Sequence, residues 1–164
     1  MAGQKIFIRY GQDADAARLI SEGLVGGSPP PNETWEKRVG TWFSEQKAGH
    51  RLILVAEDGS GILGLVQIVF SFPQGYNDPE AANGRDIAMM EGLRIKPGAP
   101  AEFGNELVQE VQVIARKKNV RTLTFCLPMN QNKALAQAKR WGFEEFRIMA
   151  EKTKMLCFFR KNVD

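Results

Sequence analysis

The most regular pattern of apolar and polar residues lies between Ile87 and Lys118. Its first part alternates as a β-strand does, with Glu91 at a central position and Gly92 where a β-bulge is expected. After a loop rich in proline and glycine, apolar residues recur at spacings of three and four from Gly104 onward, which predicts an amphipathic helix. The apolar positions are Ile87, Met89, Leu93 and Ile95 in the strand, then Leu107, Val108, Val111, Ile114 and Ala115 in the helix.

This strand–loop–helix unit predicts an anion-binding site at the start of the helix. The first backbone N–H groups of a helix have no partner within it and point toward whatever lies at its N-terminus. Glu106 and Glu110 lie early in the helix and Arg116–Lys118 lie at its end, an order that suits the helix dipole. The unit therefore indicates an anion site, whose chemistry depends on the residues around it.

The rest of the chain supplies the elements that surround this unit. The predicted order is β, α, α, β, β, β, α, β, α, β, β, which fits a mixed α/β (α+β) sheet with helices packed on its faces. The crossover over residues 87–127 is expected to be parallel and right-handed. The other predicted elements are a strand at Lys5–Arg9, a helix capped by Asp13, a loop at 26–32, a helix capped by Asn32 and ended by Gly49, a hairpin within 52–72, a polar loop at 73–85, a strand at 121–128, a helix within 130–143 ended by Gly142, and two C-terminal strands.

Length and composition bound the class of protein. A chain of 164 residues, of which 43% are hydrophobic and 25% charged, is expected to form one globular domain over residues 1–164. It has no apolar run of about 18 residues, so neither a transmembrane helix nor a membrane partner is predicted. The N-terminal residues lack the apolar core of a signal peptide, and a cytoplasmic location is expected.

Charge, histidine and cysteine usage argue against several kinds of site. The net charge is only +3 and the basic residues are scattered, so no nucleic-acid partner is predicted. A single histidine without Cys/His spacing argues against a metal site. Cys126 and Cys157 lie in apolar, strand-like runs and are interpreted as buried free thiols, with a covalent nucleophile at Cys126 as the weaker alternative.

The stretches Glu91–Pro97, Gly104–Leu107 and Asn130–Phe143 together resemble the GNAT superfamily of acyl-CoA N-acyltransferases. In that family a strand with a leucine–x–valine–x–proline pattern leads into a loop with the signature Arg/Gln-x-x-Gly-x-Gly/Ala, and a later helix ends in a Gly-Phe pair. Leu93, Ile95 and Pro97 match the strand. Gly104 matches the last glycine of the loop, and Gly142–Phe143 matches the pair. The resemblance implies the GNAT fold, a central mixed sheet of six or seven strands flanked by about four helices.

The resemblance also implies an activity and roles for individual residues. Acetyl-CoA would be the co-substrate of an N-acetyltransferase, and a small-molecule or peptide amine would accept the acetyl group. Glu91 lies on the strand where the family often places a base, so it is the candidate to take the proton that the amine loses. A backbone N–H near Leu93–Ile95 would bind the thioester oxygen. The residues predicted to contact coenzyme A are Leu93, Arg94, Ile95, Ala101, Phe103, Gly104, Asn105 and Asn130.

The sequence departs from the family pattern in two places. The phosphate loop, Gly98–Gly104, has no arginine or glutamine at its first position, a residue near Glu102 in place of its middle glycine, and no amide donor at Pro100. The tyrosine that protonates the leaving thiolate in many members is replaced by Ala138. These departures leave a second interpretation open, in which the chain is a catalytically inactive binding or interaction module with the same fold.

Three properties stay open at the level of sequence. The acceptor is not identified, because specificity in such folds lies in variable segments such as 26–46 and 73–85. Asn130 is suited equally to contacting the pantetheine arm and to capping its helix. Edge strands near the C-terminus make a homodimer an alternative to a monomer.

Overall fold

The computed structural model describes residues 5–27, 32–73, 77–100 and 102–163. Its elements are β1 Phe7–Tyr10, α1 Asp15–Ser21, α2 Trp35–Lys47, β2 Arg51–Asp58, β3 Gly61–Val69, β4 Ile87–Ile95, α3 Glu102–Lys117, β5 Thr122–Pro128, α4 Asn132–Arg140, β6 Glu144–Glu151 and β7 Lys154–Asn162. Within these ranges seven strands form one mixed sheet in the order β1-β2-β3-β4-β5-β7-β6, in which β4 and β5 run parallel. No helix of the described chain is both long and apolar enough to cross a bilayer.

The two faces of the sheet carry separate apolar cores. On one face, which we call the α3 face, α3 buries every apolar position predicted for it, and Ala138 of α4 joins the same core. On the other, the α2 face, α1 and α2 pack Leu19 and Trp42 against Ile53 and Leu65 of the sheet. Successive side chains of a strand point to opposite faces, so the core that a residue joins identifies its face.

The first two helices begin away from their predicted caps. Thr34, and not Asn32, caps α2, because the Thr34 side chain accepts a backbone N–H from the first turn at 3.1 Å. Asn32 instead adopts a left-handed conformation with φ of 63° and turns the chain. The residue before α1 is Ala14 rather than Asp13. Neighbouring polar residues compete for a cap position, and the local pattern does not decide between them.

The predicted ends of two helices are confirmed. Gly49 follows α2 with a φ of +84°, and Gly142 follows α4 with a φ of +90°. Both values lie in the left-handed region, where glycine has no side-chain penalty and commonly ends a helix. The predicted hairpin is also confirmed, because β2 and β3 pair antiparallel around the turn between Asp58 and Gly61.

Candidate active site

The parallel strands β4 and β5 separate partway along their length. Their register joins residues 87–89 to residues 122–124, and beyond these positions the two strands share no pairing in the described chain. The gap opens into a cleft of about 700 Å³, lined by residues 89–94 of β4, residues 125–128 of β5 and four side chains in and next to α4. Backbone groups of both strands are thereby left free to meet a ligand.

A β-bulge at Gly92 determines how β4 presents its side chains. Gln67 of β3 pairs with Glu91, whereas Leu65, two residues before Gln67, pairs with Arg94. The strand β4 therefore contains one extra residue at this point, and Gly92 has a φ of +66°. A Cβ atom at Gly92 would also lie 3.0 Å from Nε2 of Gln67, so this position favours glycine for two reasons. The bulge predicted at Gly92 is confirmed.

On the α2 face, four polar side chains from four elements form a chain that ends at Glu91. Arg51 donates from Nη1 to Oε1 of Gln67 at 2.6 Å and to Oε1 of Glu91 at 3.0 Å. Its Nε donates to Oε2 of Glu45 in α2 at 2.6 Å. The Glu91 side chain keeps 36% of its surface exposed. We call Glu45, Arg51, Gln67 and Glu91 the cleft cluster, which holds Glu91 by one oxygen and leaves its other oxygen without a hydrogen bond from the described residues.

Three members of the cleft cluster were missed by the sequence analysis. Two of them carry a signal, because Arg51 and Gln67 are polar residues next to long apolar runs, and they are 8% and 0% exposed. A polar side chain buried in a strand needs hydrogen-bond partners, so such a residue indicates a polar site nearby. Glu45 carries no comparable signal, since charged residues are common along a helix at the surface.

Alternate backbone N–H groups of β4 point into the gap. Lys96 donates its N–H to the carbonyl of Leu63 in β3 at 2.8 Å. Neighbouring residues of a strand direct their N–H groups to opposite sides, so those of Ile95 and Leu93 point away from β3, toward β5. The N–H of Arg94 points toward β3. The donor expected near Leu93–Ile95 therefore has two candidates, Leu93 and Ile95.

The side chain of Arg94 lies on the α2 face, opposite the face that carries α3. Arg94 pairs across the strands with Leu65, which belongs to the core beneath α1 and α2. Its guanidinium carbon lies over the ring of Trp35, 5.2 Å from the ring centre. Burial lowers the pKa of Arg94 below its ordinary value. A contact between this side chain and a phosphate at the start of α3 would have to cross the sheet.

The predicted phosphate loop begins with a tight turn. Ala99 donates its N–H to the carbonyl of Lys96 at 3.0 Å, and Gly98 has a φ of +89°. Proline followed by a left-handed glycine at the two central positions is characteristic of a type II turn. The turn directs the chain from the end of β4 toward the start of α3.

The helix α3 begins at Glu102, two residues before the predicted start at Gly104. The side chain of Phe103 is packed in the core with 2% of the residue exposed, and its backbone N–H donates to the carbonyl of Pro100 at 3.1 Å. Both the ring and the N–H of Phe103 therefore already have partners within the protein. Gly104 lies buried in the first turn, and Ala101 lies outside the described residues. The exposed Glu102 carboxylate stands at the helix start, where it opposes an anionic ligand.

Asn105 and Trp141 join the first turn of α3 to the end of α4. Nε1 of Trp141 donates to Oδ1 of Asn105 at 2.7 Å, and Trp141 also lines the cleft. The start of α3 therefore adjoins the cleft on the α3 face. Asn130 is exposed before α4, and the residue at the cap position is Gln131, which lines the cleft.

The cleft offers a poor covalent nucleophile at Cys126. This residue lines the cleft and is half-buried, in contrast to Cys157, which is buried as predicted. Burial raises the pKa of the Cys126 thiol to about 11, so it is protonated at neutral pH, and the thiolate is the reactive form. At the position of the family's tyrosine, Ala138 is fully buried. Tyr10 lies on the edge strand β1, and Tyr76 is outside the described residues.

The loop between β3 and β4 is anchored beside the cleft. Arg147 of β6 donates to both carboxylate oxygens of Asp78 and lowers the pKa of that carboxyl group. Thr124 of β5 donates from Oγ1 to the carbonyl of Ala81 at 2.7 Å. The described part of this loop therefore covers β5 and β6 on the α2 face, while α2 covers β2 and β3, and β4 lies between them.

Comparison with known proteins identifies the fold. Neither a protein-family sequence model nor a curated protein sequence matches the chain. Solved structures do: a protein from Desulfovibrio desulfuricans assigned to the acetyltransferases of the GNAT family superposes with a TM-score of 0.74, at 15% identity, over 98% of this chain and 100% of its own. A ribosomal-protein-alanine N-acetyltransferase from Brucella melitensis matches with a TM-score of 0.73, at 19% identity, over 95% and 99% of the two chains. The chain has the GNAT fold.

A third structure of similar fold was solved with ligands. The spermidine N-acetyltransferase from Vibrio cholerae, in complex with CoA and spermine, matches with a TM-score of 0.72, at 13% identity, over 96% of this chain and 95% of its own. Identities this low establish the GNAT fold alone. The predicted fold class is confirmed, and the roles of individual residues remain predictions.

Proposed function

We propose that this GNAT-fold protein is an acyl-CoA-dependent N-acetyltransferase that transfers an acetyl group from acetyl-CoA to an amine. The observation that carries the proposal is the cleft between β4 and β5. Glu91 lies on the α2 face of this cleft, and the first turn of α3 adjoins the cleft on the α3 face. This arrangement lets a thioester and an amine approach each other from opposite faces of one sheet.

The co-substrate would enter from the α3 face. Its pyrophosphate would meet the N–H groups at the start of α3, and its pantetheine arm would extend along the gap between the strands. The N–H groups of Leu93 and Ile95 would donate to the thioester oxygen, which gains negative charge as the amine attacks. The pairing of β4 with β3 supports this role, because donors held within a strand would need little reorganisation during the reaction.

The amine would enter from the α2 face and lose its proton to Glu91. The cleft cluster holds one oxygen of Glu91 through Arg51 and leaves the other free of hydrogen bonds from the described residues. A positioned base of this kind contributes about 10²–10⁴-fold to the rate of a proton-transfer step. The thiolate of coenzyme A would leave without help from a tyrosine and would take its proton from water.

Thermal melting with and without acetyl-CoA tests the proposal. A ligand that binds the native state raises the melting temperature by mass action, and a concentration about 100 times the Kd adds about 2.7 kcal/mol of stability. We expect millimolar acetyl-CoA to raise the melting temperature. No rise at any reachable concentration would contradict the proposal and favour the non-catalytic binding module.

A pair of charge variants sharpens this measurement. Glu102→Gln removes the carboxylate at the start of α3, so we expect a larger acetyl-CoA shift for this variant than for the wild type. The control is Glu110→Gln, because Glu110 lies eight residues further along the helix, about 12 Å away, beyond the screening length at physiological salt. Equal shifts in the two variants would show that the start of α3 does not hold the anion.

A further inference from the structure

The bulge at Gly92 brings two opposite charges to one face of the sheet. In a regular strand, residues three apart such as Glu91 and Arg94 point to opposite faces. The extra residue in β4 reverses this, because Glu91 pairs with Gln67 and Arg94 with Leu65, which are two residues apart in β3. The backbones of Glu91 and Arg94 are therefore about 7 Å apart along the strand, and both side chains lie on the α2 face of the cleft.

Among the buried and half-buried arginines of the described residues, Arg94 stands apart in having no counter-ion. In the described ranges, every other buried or half-buried arginine pairs with a carboxylate, namely Arg9, Arg18, Arg38, Arg51 and Arg147. Arg94 is half-buried and has no carboxylate partner among the described residues. A guanidinium that loses water without gaining an anion is destabilised, so an anionic ligand at this position would offset that cost.

The Arg94 guanidinium also has a fixed support. Trp35, whose ring lies beneath it, donates Nε1 to the carbonyl of Gly27 at 3.2 Å and meets Trp42 edge-on with ring centres 6.5 Å apart. A guanidinium held over a ring keeps the N–H groups at its edge accessible, so a planar anion can approach them. Such a group binds a carboxylate through two parallel hydrogen bonds.

From this juxtaposition, and resting on the proposed function, we propose that the acceptor is a small amine that also carries a carboxylate, as an amino acid does. Arg94 binds the carboxylate, and the amino group lies beside Glu91. The nitrogen lone pair forms the C–N bond to the acetyl carbon, the C–S bond breaks with its electron pair on the sulfur of coenzyme A, and the nitrogen loses a proton to Glu91. A polyamine such as spermidine would bring a second cation next to Arg94 and is disfavoured.

The test compares matched acceptors. Release of the coenzyme A thiol is measured with the standard L-amino acids, with their carboxamides and with spermidine. We expect kcat/KM for the best amino acid to exceed that of its carboxamide by about 10- to 100-fold, the worth of a charge-assisted hydrogen-bond pair. Transfer to carboxamides or to spermidine that equals or exceeds transfer to amino acids overturns the proposal. The proposal is also overturned if acetyl-CoA raises the melting temperature but no amino acid is acetylated.

Two variants separate recognition from folding. Arg94→Gln should raise KM for the amino acid by about tenfold or more and change KM for the carboxamide much less, whereas Arg94→Lys should restore part of the difference. The acetyl-CoA melting shift should persist in both, because Arg94 lies on the face away from α3. An equal loss with both acceptors would assign Arg94 a structural role and overturn the proposal. If acetyl-CoA gives no shift in the wild type, the proposed function itself fails and this proposal falls with it.

Discussion

Two arginine-centred clusters in this protein look alike in composition and differ in how completely their hydrogen bonds are made. The first, which we call the edge cluster, consists of Arg9, Asp15, Arg18, Glu22 and Glu57 and joins α1 to the β1–β2 edge of the sheet. In it, every oxygen of the three carboxylates accepts a hydrogen bond. Asp15 is the most buried of them, with 4% of its side chain exposed.

The cleft cluster is incomplete by comparison. Oε2 of Glu91 accepts no bond from the described residues, and Nε2 of Gln67 is buried there without a partner. Both unused groups belong to side chains on the α2 face, where β4 and β5 part. A network that serves stability alone would gain from closing these bonds, since an unsatisfied buried polar group costs about 1–3 kcal/mol. The open cluster is therefore the one suited to meet a ligand.

The largest effect that separates the two clusters should appear in turnover. Glu91→Gln removes the base, so we expect the rate of acetyl transfer to fall by about 10²–10⁴-fold while the acetyl-CoA melting shift persists. Glu57→Gln makes the same chemical change in the edge cluster and should leave the rate within about twofold once folding is confirmed. A rate for Glu91→Gln close to that of the wild type would remove Glu91 from the mechanism.

The second effect concerns stability and should run in the opposite order. Asp15→Asn removes the buried carboxylate that accepts from Arg9 and from the N–H of Gln12, while Arg9 keeps Glu57, and we expect the free energy of unfolding to fall by about 2 kcal/mol. Glu91→Gln should cost less than about 1 kcal/mol, because Arg51 keeps Glu45 and Gln67 as acceptors. Urea denaturation of both variants gives the two values. Similar losses would contradict the distinction between a closed and an open cluster.

Acid should weaken the edge cluster in a defined pH range. Hydrogen bonds from Arg9 hold the pKa values of Asp15 and Glu57 below their ordinary values. A carboxylate whose pKa is lower in the folded state than in the unfolded state stabilises the fold at pH values above its unfolded-state pKa, which is about 3.9 for Asp and 4.3 for Glu. This contribution is lost as the pH falls through the folded-state pKa. We therefore expect the urea concentration at the midpoint of unfolding to decrease as the pH is lowered below about 4. The decrease should be less steep in Asp15→Asn. Parallel profiles for the two proteins would contradict this assignment.

The smallest effect should come from a pair that has the charges of the edge cluster without its burial. Lys47 and Asp13 approach to 2.9 Å, but 69% and 66% of their side chains are exposed. Asp13→Asn should change the free energy of unfolding by less than about 0.5 kcal/mol, because exposed ion pairs contribute little in water. A loss as large as that of Asp15→Asn would show that burial is not what strengthens the edge cluster.

Local pattern was sufficient for several features of the candidate site. The strand that carries Glu91, the bulge at Gly92 and the helix stops at Gly49 and Gly142 were all predicted from neighbouring residues, and the structure has them. Such features depend on alternation and on the backbone freedom of glycine, which are properties of a few consecutive residues. The helix starts at Asp13, Asn32 and Gly104 were less well predicted, because several adjacent residues can begin a helix.

Local sequence patterns were enough to predict the order of the elements and to nominate Glu91 as the candidate base. The separation of β4 from β5, the reach of Arg51 from β2 to Glu91, and the common face of Arg94 and Glu91 above Trp35 follow from the tertiary structure alone. Each of these depends on pairing between segments far apart in the chain, where a shift of one residue in register moves a side chain to the other face of the sheet. Such pairing is set by the packing of the whole sheet, and no short stretch of sequence contains it.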